Sequence, residues 1–361
     1  MNPSESPDRR APSVFVLIVC YNGRDHLADC LNSIVASDDR GIHPQILVVD
    51  NASTDGSAEF LRENFPQIEL LQLKRNLGFA GGNNAGWRFI LEHHPDVDYV
   101  TLLNQDTIVQ SGWLAELAGY LKNRPAVAAA QARIMLWPQR ELINTAGNHS
   151  HFLGFGFVSG YGQPTSERFE HVADIDFPSG AAVMIRASAL RRAGLFDDLF
   201  FQYLEDADLG WKLRQLGYRI AFVPSAVVWH KYAFQRGYPF YFHLERNRWF
   251  LLATYYKTPT LLLLAPALAA MEAGQFYFAW RNGRFLQKLK ACLFFLRPEN
   301  LARLLDRRRQ AQRCRRIGDR AFVAPFSGRI DFSELRSDLL KYVGNPLLAG
   351  YWRIARSLIV W

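Results

Sequence analysis

A doubly wound, mostly parallel α/β sheet followed by a helical C-terminal region is the fold class this chain predicts. Three observations predict it. Short branched apolar runs alternate with stretches of helical spacing through the N-terminal part. Polar residues recur directly after those runs. Beyond about residue 236 the composition turns aromatic and apolar, then basic. Strands alternating with helices imply a parallel sheet covered on both faces.

Residues 14–19 (VFVLIV), 46–49, 68–73 and 99–103 read as buried strands. Residues 27–37, with Leu27, Leu31, Ile34 and Val35 at helical spacing, and residues 58–65 and 79–93 read as the intervening helices. In the second half, residues 175–186 lead through a turn into a strand. Residues 187–193 form a short helix ending at Gly194, and 206–216 a helix stopped by Gly217. Residues 220–223 and 226–229 read as two short strands. The expected organisation is a disordered tail over 1–12, an α/β domain over 13–235 and a helical, basic region over 236–361.

The chain has 361 residues, 49% of them hydrophobic, which suits a folded protein of about two domains. Its formal charge of +8 is unevenly placed. Residues 281–320 hold 13 Lys and Arg against 3 acids, a net +10, so the remainder sums to −2. Apolar residues interleave with these cations and no nucleic-acid-binding motif accompanies them. A membrane surface fits better than nucleic acid. Cys20, Cys30, Cys292 and Cys314 form no CxxC pair or zinc spacing and read as reduced thiols. The opening MNPSESPDRRAPS lacks an apolar signal core, so the α/β domain is expected to stay in the cytoplasm.

Residues 260–271 (TLLLLAPALAAM) are an uncharged run, whereas spanning a bilayer takes about 20 apolar residues. Residues 258–280, interrupted by Pro266, could together make one kinked span; a re-entrant or interface-lying helix is the expectation, with an ordinary core helix as the bland alternative. The neighbouring KLKACLFFLRP counts against the latter.

Several polar clusters follow strand ends, where open α/β sheets bind ligands. In DNASTDGS, helix capping accounts for Ser53 and Asp55 but not for Asp50 at the strand tip. In KRNLGFAGGNN, glycines allow close backbone approach, and Arg75 with a helix N-terminus suits a diphosphate. In NQDT, Asp106 with Asn104 two before it suits a divalent cation, and an Asx turn is an equal reading in isolation. In EDAD, the helix dipole explains acids at a helix start, and a general base in a sheltered cleft is the functional alternative. His230 follows a strand; a lone histidine is more often structural than a ligand.

The ordered set VCYN, VVDNASTDGS, NLGFAGGNNAG, LLNQDT, FPSGAAVMIR, GLFDDLFFQYLEDADLGWKLRQLG and VVWH resembles family 2 glycosyltransferases, most nearly their bacterial rhamnosyltransferase-like branch. The resemblance covers about residues 14–231. It implies a GT-A fold and an inverting transfer from a nucleotide sugar of dTDP or UDP type, with dTDP-rhamnose the first choice. Tyr21, Asn22, Asp50, Asn51, Asp55, Arg75, Gly81, Asn83, Asn104 and Gln105 would line the donor site. Asp106 and His230 would hold Mg²⁺ or Mn²⁺. Asp206 would be the base, with Glu205 as fallback. The family's Asp-x-Asp has Asn104 at its first position here, which leaves fewer charges for the metal. YFHLERNR resembles the post-catalytic helix. There His243, Arg246, Asn247 and Arg248 face either the acceptor diphosphate or a membrane as a basic face.

The acceptor implied is a cell-surface glycan or a polyprenyl-diphosphate-linked one. The place implied is the cytoplasmic face of the inner membrane, held peripherally or monotopically, and a homo-oligomer is compatible. Other readings are a UDP-linked galactofuranose or hexose transferase and a non-catalytic nucleotide-sugar-binding scaffold.

Overall fold

The computed structural model describes residues 11–231, 241–331, 338 and 340–361. Residues 1–10 of the expected tail, and the boundary expected near 236, lie outside the described residues.

β1 (Val14–Cys20), β2 (Gln45–Asp50), β3 (Glu69–Gln72) and β4 (Tyr99–Asn104) alternate with α1 (Arg24–Val35), α2 (Ser57–Asn64) and α3 (Gly78–His93). β5 (Thr107–Val109) and α4 (Trp113–Lys122) lead into the long β6 (Val127–Leu136). Four short strands follow: β7 (Ile143–Thr145), β8 (Asn148–Ser150), β9 (Gly156–Val158) and β10 (Ala173–Asp174). Then come β11 (Ala182–Arg186), α5 (Ala187–Ala193), α6 (Glu205–Gln215) and β12 (Arg219–His230). The C-terminal helices are α7 (Tyr241–Tyr255), α8 (Thr258–Arg281), α9 (Phe285–Phe294), α10 (Pro298–Cys314), α11 (Asp319–Phe322) and α12 (Asn345–Leu358).

The main sheet has the order β10-β12-β6-β11-β4-β1-β2-β3, with β5 added on β12 and β7 on β6. β3, β2, β1 and β4 are mutually parallel, as are β6 and β12. β11 runs antiparallel to both its neighbours. The register pairs Cys20 with Asp50 and Val19 with Asn104, so the ends of β1, β2 and β4 form one edge.

β1 is buried on both faces, which is why it reads as a continuous apolar run. Phe15 and Leu17 point to the α3 side, with Trp87 and Ile90. Val14, Val16 and Ile18 point to the other side, with Leu27, Leu31 and Ile34 of α1. The alternation is the strand period of two. The C-terminal helices join the α3-side core: Phe250, Tyr256, Leu264, Phe322 and Trp352 cluster with it. Trp211 of α6 links the parts, its ring stacked 5.7 Å from Tyr256 and 5.1 Å from Phe326.

Two findings differ from expectation. Residues 220–229 form one strand, not two, because β12 absorbs Pro224 and Ser225 in a register shift between Val223 and Val227. The glycines of α3 serve packing. A Cβ on Gly86 would lie 2.3 Å from Leu17 Cδ1, and one on Gly82 2.7 Å from Val19 Cγ1. Their absence of side chains lets α3 lie close on β1 and β2.

Candidate active site

The site gathers at the C-terminal edge of β1, β2 and β4. Asp50 closes β2 and is 2% exposed. One of its carboxylate oxygens accepts the Ser53 amide at 3.3 Å. Asn22, at φ 48°, accepts the Thr54 amide at 2.9 Å. Tyr21 leaves its ring 45% exposed at this edge. Gln105 clasps the Tyr21 backbone, accepting its amide at 3.0 Å and donating to its carbonyl at 3.3 Å.

Asp55 supports the loop. It accepts the amides of Arg24 and Ser57 at 3.0 Å each and the Ser57 hydroxyl at 2.6 Å. Burial pushes its carboxyl up, but these bonds outweigh that and hold it below its ordinary value. Asn51 fastens β2 to α3. It accepts the Leu77 amide at 2.9 Å and donates to Asn76 Oδ1 and the Gly78 carbonyl at 3.0 Å each.

At the start of α3, three amides that a diphosphate could meet already have partners within the protein. Asn76 Oδ1 takes the Gly78 amide at 2.7 Å, and the Phe201 carbonyl takes the Ala80 amide at 3.2 Å. With Leu77 on Asn51, these amides are spent inside the protein. Gly81 is buried against Leu77, and the buried Asn83 donates to the Phe79 carbonyl at 2.9 Å. Neither stands open to a ligand. Arg75, on the loop before α3, is exposed.

Asp106 and His230, 124 residues apart, meet where β5 pairs with β12. His230 Nε2 lies 3.1 Å from Asp106 Oδ1 and 3.3 Å from the Asn104 amide nitrogen. Its Nδ1 is 3.5 Å from Asn144 Oδ1, which orients the ring from behind. Burial pushes the Asp106 carboxyl up, and the adjacent His230 ring more than reverses this, leaving it below the ordinary range. Among the described residues no group of three or more His, Cys, Asp or Glu forms a metal cage. The described residues therefore offer two ligands there, an oxygen and a nitrogen, and a cation would need substrate oxygens to complete its shell. That donor set fits a divalent cation shared with a diphosphate.

Glu205 and Asp206 open α6. Asp206 Oδ2 accepts the Gly180 amide at 3.0 Å, and its Oδ1 is buried with no hydrogen-bond partner among the described residues. Glu205 Oε2 is likewise buried and unpartnered. Burial pushes the Asp206 carboxyl up to about 7, with the Gly180 bond opposing it. Burial, and then its acidic neighbours Asp206 and Asp208, raise the Glu205 carboxyl well above its ordinary value. Glycine at position 180 lets the backbone approach Asp206 closely, since a Cβ there would lie 2.8 Å from Asp206 Oδ1 and displace it or the Phe79 ring. The next residue, Ala181, accepts the Asn104 amide at 3.1 Å. One backbone step thus joins the Asp206 support to the edge carrying Asn104 and Asp106.

The acceptor candidates on α7 divide. His243 stacks on Phe201, ring centroids 5.5 Å apart. Asn247 and Arg248 are corrected: both are buried, on neither an open basic face nor an acceptor surface. Asn247 binds the backbone of the loop before Glu205. Arg248 pairs with Glu272 and binds the Leu153 carbonyl at 3.1 Å. Arg246 also turns inward, donating to the carbonyls of Leu199 and Phe200. Gly180, Asn144 and the loop 199–204 were not assigned roles from sequence; FPSGAAV was the visible sign of the first.

A family model described as "Glycosyltransferase like family 2" matches residues 11–251, two thirds of the chain. The chain belongs to this glycosyltransferase family. The transferase is 28% identical over 239 residues to an N-acetylglucosaminyl-diphospho-decaprenol L-rhamnosyltransferase of Mycobacterium tuberculosis (strain CDC 1551 / Oshkosh), covering 62% of this chain and 77% of that one. It is 27% identical over 235 residues to the pre-mycofactocin glycosyltransferase of the same strain, covering 64% of this chain and 45% of that one. Among solved structures it resembles GalNAc-T7 with UDP, GalNAc and Mn²⁺. The TM-score is 0.57 at 15% identity, with 69% of this chain and 49% of that one covered. The transferase therefore has the mostly parallel GT-A fold with an added C-terminal helical region.

Proposed function

We propose that this glycosyltransferase inverts the anomeric centre of a nucleotide sugar, dTDP-rhamnose by first choice, while passing the sugar to a hydroxyl of a lipid-linked glycan. The observation that carries the reading is the Asp206 carboxylate. It is sheltered, fixed at one oxygen by the Gly180 amide, free at the other, and held to about 7 by burial. A base is best placed with its pKa near the working pH.

The donor lies along the edge of β1, β2 and β4. Asp50 accepts from the base imide or ribose, and the exposed Tyr21 ring flanks the nucleoside. Asn22 and Asp55 hold the loop that frames them. Asp106 and His230 would hold Mg²⁺ or Mn²⁺, which would supply positive charge against the departing diphosphate. Arg75 adds a second positive charge from the loop side. The acceptor oxygen bonds to the anomeric carbon as the bond from that carbon to the diphosphate oxygen breaks. Its proton passes to Asp206 Oδ1. The rhamnosyltransferase relative supports both the sugar and an acceptor on a polyprenyl carrier. A polyprenyl carrier implies work at the cytoplasmic membrane surface.

The test is transfer and donor hydrolysis by purified protein with Mg²⁺ or Mn²⁺ across dTDP-, UDP- and GDP-sugars. The anomeric configuration of the product is read by NMR. Release of dTDP from dTDP-rhamnose, an inverted product and loss with EDTA are expected. A retained configuration, or turnover by Asp206→Asn equal to wild type, overturns the reading.

A further inference from the structure

α8 has two unlike sides. One is packed on the protein for most of its length, with Thr260, Leu264, Ala267, Leu268 and Ala279 buried. Glu272, the single charge between residues 258 and 280, lies within this packing. It pairs with Arg248 of α7 and receives Lys288 Nζ of α9 at 2.6 Å. The opposite side carries no charge. Leu262, Tyr277 and Trp280 stand 70%, 62% and 65% exposed, and the surface continues onto α9 and just beyond it through Leu286, Leu293 and Leu296. Among the described residues nothing covers these side chains. A water-facing surface of this kind on one pair of helices marks an interaction site.

We infer that this face of α8 and α9 seats in the interfacial layer of an anionic phospholipid membrane, with α8 lying in the membrane plane and not across it. Three observations support that occupant and orientation. The apolar stripe is fringed by exposed cations, Arg281, Lys290 and Arg297, which suit lipid phosphates. Tyr277 and Trp280 stand at the end of the stripe, and such amphipathic rings favour the headgroup level. The buried ionic cluster ties α8 to the catalytic domain, so a spanning α8 would draw Arg248, Lys288, Glu245 and Glu272 into hydrocarbon. A second copy of this chain seated on the face by two-fold symmetry would bring its own cationic fringe against this one.

The position serves the reaction. Phe294 of α9 packs on Phe242 of α7, centroids 6.1 Å apart. The next residue, His243, stacks on Phe201 in the loop leading to Asp206. One helix separates the lipid-facing surface from the base. The inference deepens the reading of a lipid-linked acceptor and rests on it for its purpose.

The experiment uses the full chain and vesicles of phosphatidylcholine with phosphatidylglycerol. Wild type should sediment with them, and the double variant Trp280→Asp, Leu286→Asp should stay in the supernatant with an unchanged thermal melt. Should that variant fail to fold, Leu293→Asp with Leu296→Asp replaces it. Bromolipids brominated near the headgroup should quench the fluorescence that Trp280→Phe removes, more than bromolipids labelled deep in the chain. Wild type that stays soluble with vesicles, sedimentation unchanged by either variant, stronger deep quenching, or a dimer that the variants dissolve would each overturn the inference. Transfer to a water-soluble acceptor analogue separates the two readings. A double variant that leaves the vesicles yet transfers normally supports docking. A wild type that docks but neither hydrolyses nor transfers any donor defeats the proposed reaction alone.

Discussion

The side-chain nitrogen of Asn247 lies 2.7 Å from the carbonyl oxygen of Tyr203, three residues before Asp206. The same amide reaches the carbonyls of Phe200 at 3.1 Å and Gln202 at 3.2 Å. These bonds restrain a loop in which Phe201, Tyr203 and Leu204 all have positive φ, at 56°, 68° and 64°. Each such residue costs about 1–3 kcal/mol and persists only where its surroundings dictate it. Under the proposed reaction, Asn247 is thus a positioning residue for Asp206. Asn247→Asp turns the donor into an acceptor facing three carbonyls. Steady-state kinetics should give kcat lower by about 10²-fold, as for a misplaced catalytic group, with donor KM little changed. In an Asp206→Asn background the same change should cost little further. A lower melting temperature with unchanged kcat would make Asn247 purely structural.

Replacing the base itself should be severe. Asp206→Asn keeps the Gly180 contact possible but removes the proton acceptor, so transfer should fall by about 10²–10⁴-fold. Donor affinity, read by calorimetry with the nucleoside diphosphate, should survive.

The pH dependence follows with a definite sign. As the proposed base, Asp206 would work when ionised, so kcat should rise with pH through about 7 and then level. Stability runs the other way. The folded carboxyl holds its proton up to about 7, whereas an unfolded one loses it near 4. Between those values the native state binds more protons, so stability falls as pH rises through this window. Asp206→Asn should flatten that fall in thermal melts taken from pH 5 to 8. A variant whose melting temperature keeps the wild-type pH slope would reassign the perturbed group.

Asp106 and His230, 3.1 Å apart, are the proposed metal-binding pair. Asp106→Ala should abolish EDTA-sensitive turnover. His230→Ala should raise the half-saturating Mn²⁺ concentration by roughly tenfold or more, on the order of 1.4 kcal/mol of lost binding. Mn²⁺ titration of nucleoside diphosphate binding gives a readout independent of turnover. Unchanged metal dependence in His230→Ala would leave the histidine a structural support of Asp106.

The glycines of α3 give a stability prediction. Gly86→Ala would crowd Leu17 and Val49 and should destabilise by about 1–3 kcal/mol in urea unfolding, with nucleoside diphosphate affinity nearly intact. Weaker donor binding at unchanged stability would restore a ligand role to this segment.

That segment also marks where sequence reading stops. β1, β2 and β4 were legible because buried parallel strands leave branched apolar runs, and Asp50, Asn104 and Asp106 were legible as polar residues just past them. The Gly-rich start of α3 looks the same whether glycine admits a ligand or a neighbouring strand. Only the approach to Leu17 and Val19 separates the two. β6, VAAAQARIML, carried no strand signal, since alanine favours helix and only the position between β11 and β12 makes it a strand. The pairing of Asp106 with His230 spans 124 residues and leaves no local trace. Arg248 and Asn247 read as surface cation and ligand contact because their partners, Glu272 and the 200–203 carbonyls, come from elsewhere in the chain.

The ionic cluster of Arg248, Glu245, Glu272 and Lys288 bears on how a soluble enzyme can be made. Cutting away residues 258–320 would remove Glu272 and Lys288, two of the four charges that satisfy one another in this cluster. It would also strip Leu264, Ala267 and Leu268 from the shared core. Trimming is the wrong tool for this transferase. If the outer side of α8 and α9 seats in a membrane as inferred above, recolouring it with polar residues while leaving the inner side untouched is the route to a detergent-free form.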